Sequence, residues 1–531
     1  MAFTSLNFLL FALLTVIVYY AIPVKGRWLV LLFASYAFYL LSSPKTFIFV
    51  LFTTAVTFFC GRSIGMCNSE HKAFMAENKA SMSRDEKKAA KAANQKRKKK
   101  YVAIALILDF GILAVLKYFR YYLEALGLGF DLGGILIPLG ISFYTFQSAA
   151  YIIDIYRDKI SPDTNIARFA LFTAFFPQII QGPISRHDQL AHQLYEGHEF
   201  DYRNLTHGAQ LVLWGFFKKL VIADRVAILC DQVFDNYGDY SGEAVFVALL
   251  FYTIQIYADF SGGIDIARGV ARCMGIDMTN NFMRPYFSDS LSSFWNRWHI
   301  SLSHWCRDYI FYPVAMSKFF GKLGKNLRGV LGDRVGKLVP VIIAQYATFI
   351  TIGIWHGAEF KYIAYGLYNG TVIVLGLLLE PYFRKIMEKL HINASSRWWK
   401  GFQYVRTFFI VVFGRIFPKA ASFGAALTMF ASMFRLHNGE PFAETLLSLG
   451  LNETDFLIIL VSCIVWLVIS LVEERDMRMN GGDGTAGFRQ AMDRMPLLVR
   501  WILILLMLTA VMALGVYGPG YDAGAFIYRG F

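Results

Sequence analysis

The sequence predicts an all-helical protein that crosses a membrane many times, with about 11 spans. Three observations carry that expectation. The 531 residues are 56% hydrophobic and only 17% charged, with a mean hydropathy of +0.44, whereas soluble domains carry roughly a quarter charged residues. The apolar residues arrive in blocks, each long enough to cross about 30 Å of hydrocarbon as a tilted helix. Basic residues collect in the loops between those blocks, the pattern that orients membrane helices.

Taken in chain order, residues 8–22, 28–41, 46–60 and 101–116 contain almost no charge. Residues 135–155, 205–229 and 244–258 are weaker candidates, and 338–355, 362–379, 456–472 and 501–516 complete the set. No Lys or Arg precedes Phe8, so the first block is expected as a retained span; a cleaved signal peptide needs a basic n-region. The N-terminus is then placed outside. Lys25 and Arg27 follow the first span, Lys45 the second, and a basic run from Arg62 to Lys100 the third. An out-in-out-in order fits these charges. The basic loops 307–337, 384–406 and 473–500 are read as cytosolic, and the C-terminal tail 517–531 as extracytoplasmic. One domain spanning residues 1–531 is expected, with a basic cytosolic arm at 66–100. That arm is too polar to bury, and reads as a surface helix or a partly disordered segment.

The net charge of +14 admits a nucleic-acid reading, but the charge lies beside membrane spans. Topology and attraction to anionic lipid account for it, and no nucleic-acid partner is expected. The six cysteines (Cys60, Cys67, Cys230, Cys273, Cys306, Cys463) are scattered with no C-x-x-C pair. They provide neither a disulfide framework nor a zinc site, so no metal is expected. Nor is there a G-x-x-x-x-G-K-[ST] loop, and Gly127-Leu128-Gly129 is no dinucleotide fingerprint.

Residues 135–369 differ in kind from the flanking spans. Their apolar stretches are broken by Gly, Pro and polar residues, as in Phe176-Pro177-Gln178 and Gln181-Gly182-Pro183. In a bilayer, irregular backbone survives only where protein or a wet cavity surrounds it, so a reaction chamber is expected here. His356 ends an apolar run within Gly353-Ile354-Trp355-His356-Gly357-Ala358. An ionisable group at membrane depth is costly and points to function; the plainer reading is a helix-end ring bonded to a neighbouring helix. Tyr362, Tyr365 and Tyr368 follow at helical spacing, as packing or as site lining. A second constellation runs from Phe294-Trp295-Asn296-Arg297-Trp298-His299 to Arg307-Asp308-Tyr309. His299, Ser303 and Arg307 recur every four residues, which on a helix is one face. An interfacial amphipathic helix is the alternative.

These segments carry a resemblance. The order F-P-Q-x-x-x-G-P at Phe176–Pro183, F-W-x-R-W-H-I-S-L-S-x-W-x-R-D-Y at Phe294–Tyr309, and W-H-G at Trp355–Gly357 closely resembles the membrane-bound O-acyltransferase family, in its alginate O-acetyltransferase-like branch. Ile137-Pro138-Leu139-Gly140 and Tyr257-Ala258-Asp259-Phe260-Ser261-Gly262 are also typical of it. The resemblance implies a ring of transmembrane helices around a central funnel-shaped chamber, with His356 catalytic and His299 its partner. Trp298, Arg307, Trp355 and Tyr365 are the candidates for lining the substrate channel. The final Phe526-Ile527-Tyr528-Arg529-Gly530-Phe531 fits F-x-Y-x-x-F, for which the resemblance implies a tyrosine, Tyr528, that briefly holds the acyl group. An aromatic interfacial anchor is the competing explanation.

The expected activity is transfer of an acyl group, acetyl in the first instance, from a cytosolic thioester through the membrane to an extracytoplasmic cell-envelope polysaccharide. Acetyl-CoA or another acyl thioester would be the donor substrate, with no bound cofactor. Without a sizeable extracytoplasmic domain in the sequence, a separate partner protein is expected to deliver the group. The location expected is the bacterial cytoplasmic (inner) membrane. Within the class, the rival is a D-alanyl transferase for teichoic acid, supplied by a carrier-protein thioester. A transporter or flippase also fits broken helices with buried polar groups, although no repeated halves are visible. A non-catalytic scaffold would tolerate loss of His356.

Overall fold

The computed structural model describes residues 1–119, 121, 122, 126, 138–179, 181–434, 442–482 and 485–517. Among these residues the regular elements are helices, apart from one isolated antiparallel bridge between Phe282 and Trp298. Helices satisfy their backbone polar groups internally, as a bilayer demands. Eight are long and apolar enough to cross a membrane, and Leu6–Ala21 and Phe423–Ser432 are shorter apolar helices. The expected total of about 11 is therefore not reproduced by length and composition. Residues 205–229 show why: the stretch is broken by a π-helical segment, Phe217–Ala223.

Two compact units divide the chain: Met1–Ala209 with Ala267–Thr279, and Gln210–Ile266 with Asn280–Phe531. The first contains α1 (Leu6–Ala21), α2 (Arg27–Ser42), α3 (Phe47–Asn78), α4 (Arg84–Ala114), α5 (Ile141–Tyr156), α6 (Ile166–Ala174) and α7 (His187–Glu196). Residues 66–100 are the polar ends of α3 and α4, joined by a short turn. Ser83 and Glu86 form a reciprocal capping box at the start of α4, and Glu70 pairs with Arg97 across the hairpin at 2.8 Å. Lys98 is buried and donates to the Tyr156 carbonyl at 2.9 Å, fixing the base of the arm. Deeper in, hydroxyls join the helices: Thr57 donates to Asp109 at 3.0 Å, and Thr54 and Thr173 share a bond of 2.9 Å. Such bonds bind helices where hydrocarbon offers no competing solvent. The chain enters α5 through Gly140, whose φ of +69° and contact with the Ile179 carbonyl leave no room for a side chain.

Helices α8 (Tyr202–Phe216) and α10 (Gly242–Cys273) continue from one sequence range to the other, with α9 (Asp224–Asp235) between them. The second unit further holds α11 (Leu291–Trp295), α12 (Ile300–Cys306), α13 (Lys318–His356), α14 (Phe360–Lys389), α15 (Arg397–Gly414), α16 (Glu453–Asn480) and α17 (Leu497–Leu514). The π-helical turn carries two buried lysines. Lys218 pairs with Asp265 at 2.7 Å, and Lys219 with Asp259 and Asp224 at 2.6 and 2.7 Å. Removing one partner from such a buried pair leaves an uncompensated charge, so these contacts tie the turn firmly to α10. Helix α13 breaks at Gly332, where φ is +81°, and Gly324 packs against the Gly336 carbonyl across the break. Only the part after Gly332 runs on to His356.

Candidate active site

His356 is the last residue of α13, and the packing of α13 on α14 fixes its position. A side chain at Gly366 would collide with the Phe349 carbonyl, and one at Gly353 with the Tyr362 carbonyl. Small residues at these crossings let the two backbones touch. A side chain at Gly357 would strike the Tyr362 ring, so this glycine lets a tyrosine of the next helix approach closely. His356 is 7% exposed. Its ring lies nearly parallel to Tyr362 at 6.3 Å, edge-on to Tyr365 at 5.7 Å, and 4.9 Å from Trp355.

His299 is held quite differently. The sequence pattern places His299, Ser303 and Arg307 on one helical face, but α12 begins only at Ile300. His299 is its cap, in the left-handed region at φ 45° and ψ 54°. That conformation costs a non-glycine residue of order 1–3 kcal/mol and persists only where surroundings enforce it. Here the segment around Asn281 does so. Met283 N–H donates to the Arg297 carbonyl at 3.0 Å, Ile300 N–H to the Asn281 carbonyl at 3.0 Å, and Ser301 N–H to Asn281 Oδ1 at 2.9 Å. Arg297 and Arg284 both grip Glu474 of α16, at 2.9 and 3.1 Å. The His299 ring, 1% exposed, packs edge-on against Phe260 at 4.9 Å and Trp355 at 5.7 Å. It lies outside the eight long apolar helices, and burial pushes its imidazole down to about 3, which keeps it neutral at physiological pH.

Both imidazoles therefore lie against one indole, Trp355. Trp298 is 1% exposed and stacks on Phe294 at 5.6 Å. Over its ring lies the guanidinium of Arg415, 4.2 Å from the centroid. Arg415 also donates to Tyr365 Oη at 3.2 Å. Trp298, Trp355 and Tyr365 are thus brought together with the two histidines. Arg307 is not: its side chain is 44% exposed and pairs with Asp308 at 3.0 Å. Tyr528 lies outside the described residues, as do Gly127-Leu128-Gly129 and Ile137. Among the described residues no cluster has the makings of a metal site.

Sequence comparison decides the class. Residues 157–328 match the membrane-bound O-acyltransferase family. The "Probable alginate O-acetylase AlgI" of Pseudomonas aeruginosa is 32% identical over 445 residues, covering 82% of this chain and 75% of that protein. The chain belongs to the membrane-bound O-acyltransferase family, on its alginate O-acetylase-like branch. It is an O-acyltransferase and a multi-pass membrane protein. A peptidoglycan O-acetyltransferase of Helicobacter pylori is 29% identical, covering 64% of this chain and 66% of its own length. A teichoic acid D-alanyltransferase of Bacillus subtilis is 29% identical over 52% of this chain and 67% of its own. The transporter and scaffold readings have no such support.

Some residues of this candidate site escape the sequence patterns. Arg415 stands alone in Phe413-Gly414-Arg415-Ile416-Phe417; a single cation in an apolar run is the signal that would have found it. Asn369, which accepts from Trp295 Nε1 at 3.2 Å and donates to the Tyr365 carbonyl at 2.8 Å, has no sequence signal beyond being polar.

Proposed function

We propose that this acyltransferase takes an acetyl group from a cytosolic thioester, acetyl-CoA, and passes it to a hydroxyl of an extracytoplasmic envelope polysaccharide. The observation that carries the reading is the meeting of His356 and His299 at the Trp355 indole inside a buried aromatic setting. Acyl transfer to an alcohol requires the hydroxyl to lose its proton as it attacks, and a neutral imidazole suits that task. His356 takes the proton while the oxygen bonds to the carbonyl carbon. The carbon–sulfur bond then breaks, and the thiolate receives the proton. His299 is the supporting residue, its neutral ring held in place by the enforced left-handed turn.

The acceptor class is supported by the relatives, whose names place their acyl groups on alginate, peptidoglycan and teichoic acid. Acetyl is favoured over D-alanine because the alginate O-acetylase relative covers 82% of the chain and the D-alanyltransferase 52%. The basic loops support an arm at residues 66–100 on the cytosolic side of the bacterial inner membrane, with the N-terminus outside. A separate extracytoplasmic protein delivers the group to the polysaccharide. Tyr528 is then the relay: its phenol is the first hydroxyl to attack the thioester, and the aryl ester so formed passes the acyl group to the next hydroxyl, whose proton returns to the phenol oxygen.

The test is donor competition in proteoliposomes. Purified protein is offered labelled acetyl-CoA or a labelled D-alanyl carrier thioester, with wild type and Tyr528→Phe compared. Transfer from acetyl-CoA, with label held on wild type but not on Tyr528→Phe, is the expected result. Transfer from the D-alanyl carrier alone would replace acetyl by D-alanine. Label held equally by Tyr528→Phe would discard the relay.

A further inference from the structure

Between the His356 ring and a buried guanidinium stands a phenol to which the reaction above gives no task. Tyr365 is 3% exposed and lies early in α14. Its ring meets His356 edge-on at 5.7 Å, at an interplanar angle of 80°. Arg415, 2% exposed, donates from Nη1 to Tyr365 Oη at 3.2 Å. A phenol oxygen has two lone pairs and a single proton. The bond from Arg415 occupies a lone pair, so the Tyr365 proton is directed towards some other acceptor. A cation donating to that oxygen makes its O–H a stronger donor, and the low local dielectric enlarges the effect.

Three elements hold the phenol in this attitude. Asn369 donates to the Tyr365 carbonyl at 2.8 Å and is itself fixed by Trp295 Nε1 at 3.2 Å. Arg415 reaches in from the end of α15 and is braced over Trp298 at 4.2 Å. The α13–α14 crossing sets the separation of the phenol from His356 through Gly353 and Gly366. Donors fixed in place before reaction are what a developing oxyanion needs, because no reorganisation is then required as charge appears.

We propose that Tyr365 donates the hydrogen bond that stabilises the oxyanion formed beside His356, and that Arg415 is the positioning residue that directs and strengthens it. The inference rests on the acyl-transfer reading. As the acceptor oxygen gives its proton to His356 and bonds to the acyl carbon, the carbonyl electron pair moves onto oxygen. That oxygen accepts from Tyr365 Oη–H without proton transfer. Collapse restores the carbonyl, the carbon–sulfur bond breaks, and the thiolate takes the proton from His356. Arg415 neither gains nor loses a proton throughout.

The test uses the full chain in nanodiscs, with a labelled acyl thioester donor and kcat and KM measured separately. Tyr365→Phe is expected to lower kcat by about 10²–10³-fold, the usual loss of one oxyanion donor, with KM for the thioester little changed. Arg415→Met is expected to lower kcat in the Tyr365 background and to have little further effect in Tyr365→Phe, since the two act as one unit. Replacing Tyr365 by 3,5-difluorotyrosine, whose phenol is a stronger donor, is expected to restore much of the rate lost in Arg415→Met. A guanidinium that merely propped Trp298 would show no such rescue, and equal losses in both backgrounds; either result overturns the assignment of Arg415. Wild-type kcat in Tyr365→Phe overturns the role of the phenol. A wild-type protein inert towards every thioester overturns the acyl-transfer reading itself, and this role with it.

Discussion

Two helical hairpins in this protein are built from similar lengths of chain and serve opposite ends. In the first, α3 and α4 close through a turn that is exposed, with Ser83 and Glu86 capping each other and Arg97 paired to Glu70 nearby. In the second, α13 and α14 close through Gly357-Ala358-Glu359, and the residue entering that turn is His356, 7% exposed. The second hairpin has its exposed ion pair at the open end, where Arg334 meets Glu380 at 3.2 Å. The first turn is specified by polar side chains that would stabilise it in water. The second is specified by glycines that let backbone touch backbone. A turn that is only half exposed and follows a buried histidine has less solvent to satisfy its polar groups, and packing takes over.

The comparison can be broken first at its tightest point. Gly366→Val should force the Phe349 carbonyl away from α14, costing about 1–3 kcal/mol by overpacking. Because His356 rides on that crossing, acyl transfer should fall together with the thermal unfolding midpoint in detergent. A variant with wild-type midpoint and activity would show that the glycine contact does not set the site.

A second effect is expected from acid. His299 is neutral when folded because burial pushes its imidazole down to about 3, whereas an unfolded histidine titrates near 6.5. Between those values the unfolded chain binds the extra proton, so the stability contributed by the neutral ring is present above about pH 6.5 and lost as pH falls towards 3. His299→Gln should flatten that part of the stability profile. An unchanged acid slope would assign the loss to other groups. Smallest of all, Glu70→Gln and Glu380→Gln should each leave stability almost unchanged, since both pairs are about half exposed and screened. A larger loss in either would mean that the watery ends, rather than the glycine crossing, hold the hairpins.

The same contrast explains what the sequence reveals. Apolar blocks, basic loops and the W-H-G and F-W-x-R-W-H segments are local patterns, and they led to the helical membrane fold, the family and the two histidines. The left-handed turn at His299 is not local, because Asn281, 18 residues earlier, imposes it. His299 accordingly caps the helix that carries Ser303 instead of sharing its backbone conformation, and Arg307 opens the π-helical turn that follows. Arg415 reaches the site from 50 residues beyond Tyr365, a distance over which no spacing rule operates. The break at Gly332 divides a run of basic and apolar residues that otherwise reads as one long helix. Where tertiary contacts choose the backbone, periodicity carries little information.

The account turns on His356 as the base. The most direct measurement is chemical rescue: acyl transfer by His356→Ala, purified and reconstituted, with and without added imidazole. The expected result is a loss of about 10²–10⁴-fold, partly restored by imidazole in proportion to its neutral form, with thioester KM preserved. Wild-type transfer by His356→Ala without imidazole would contradict the claim and move the proton-accepting role elsewhere in the site.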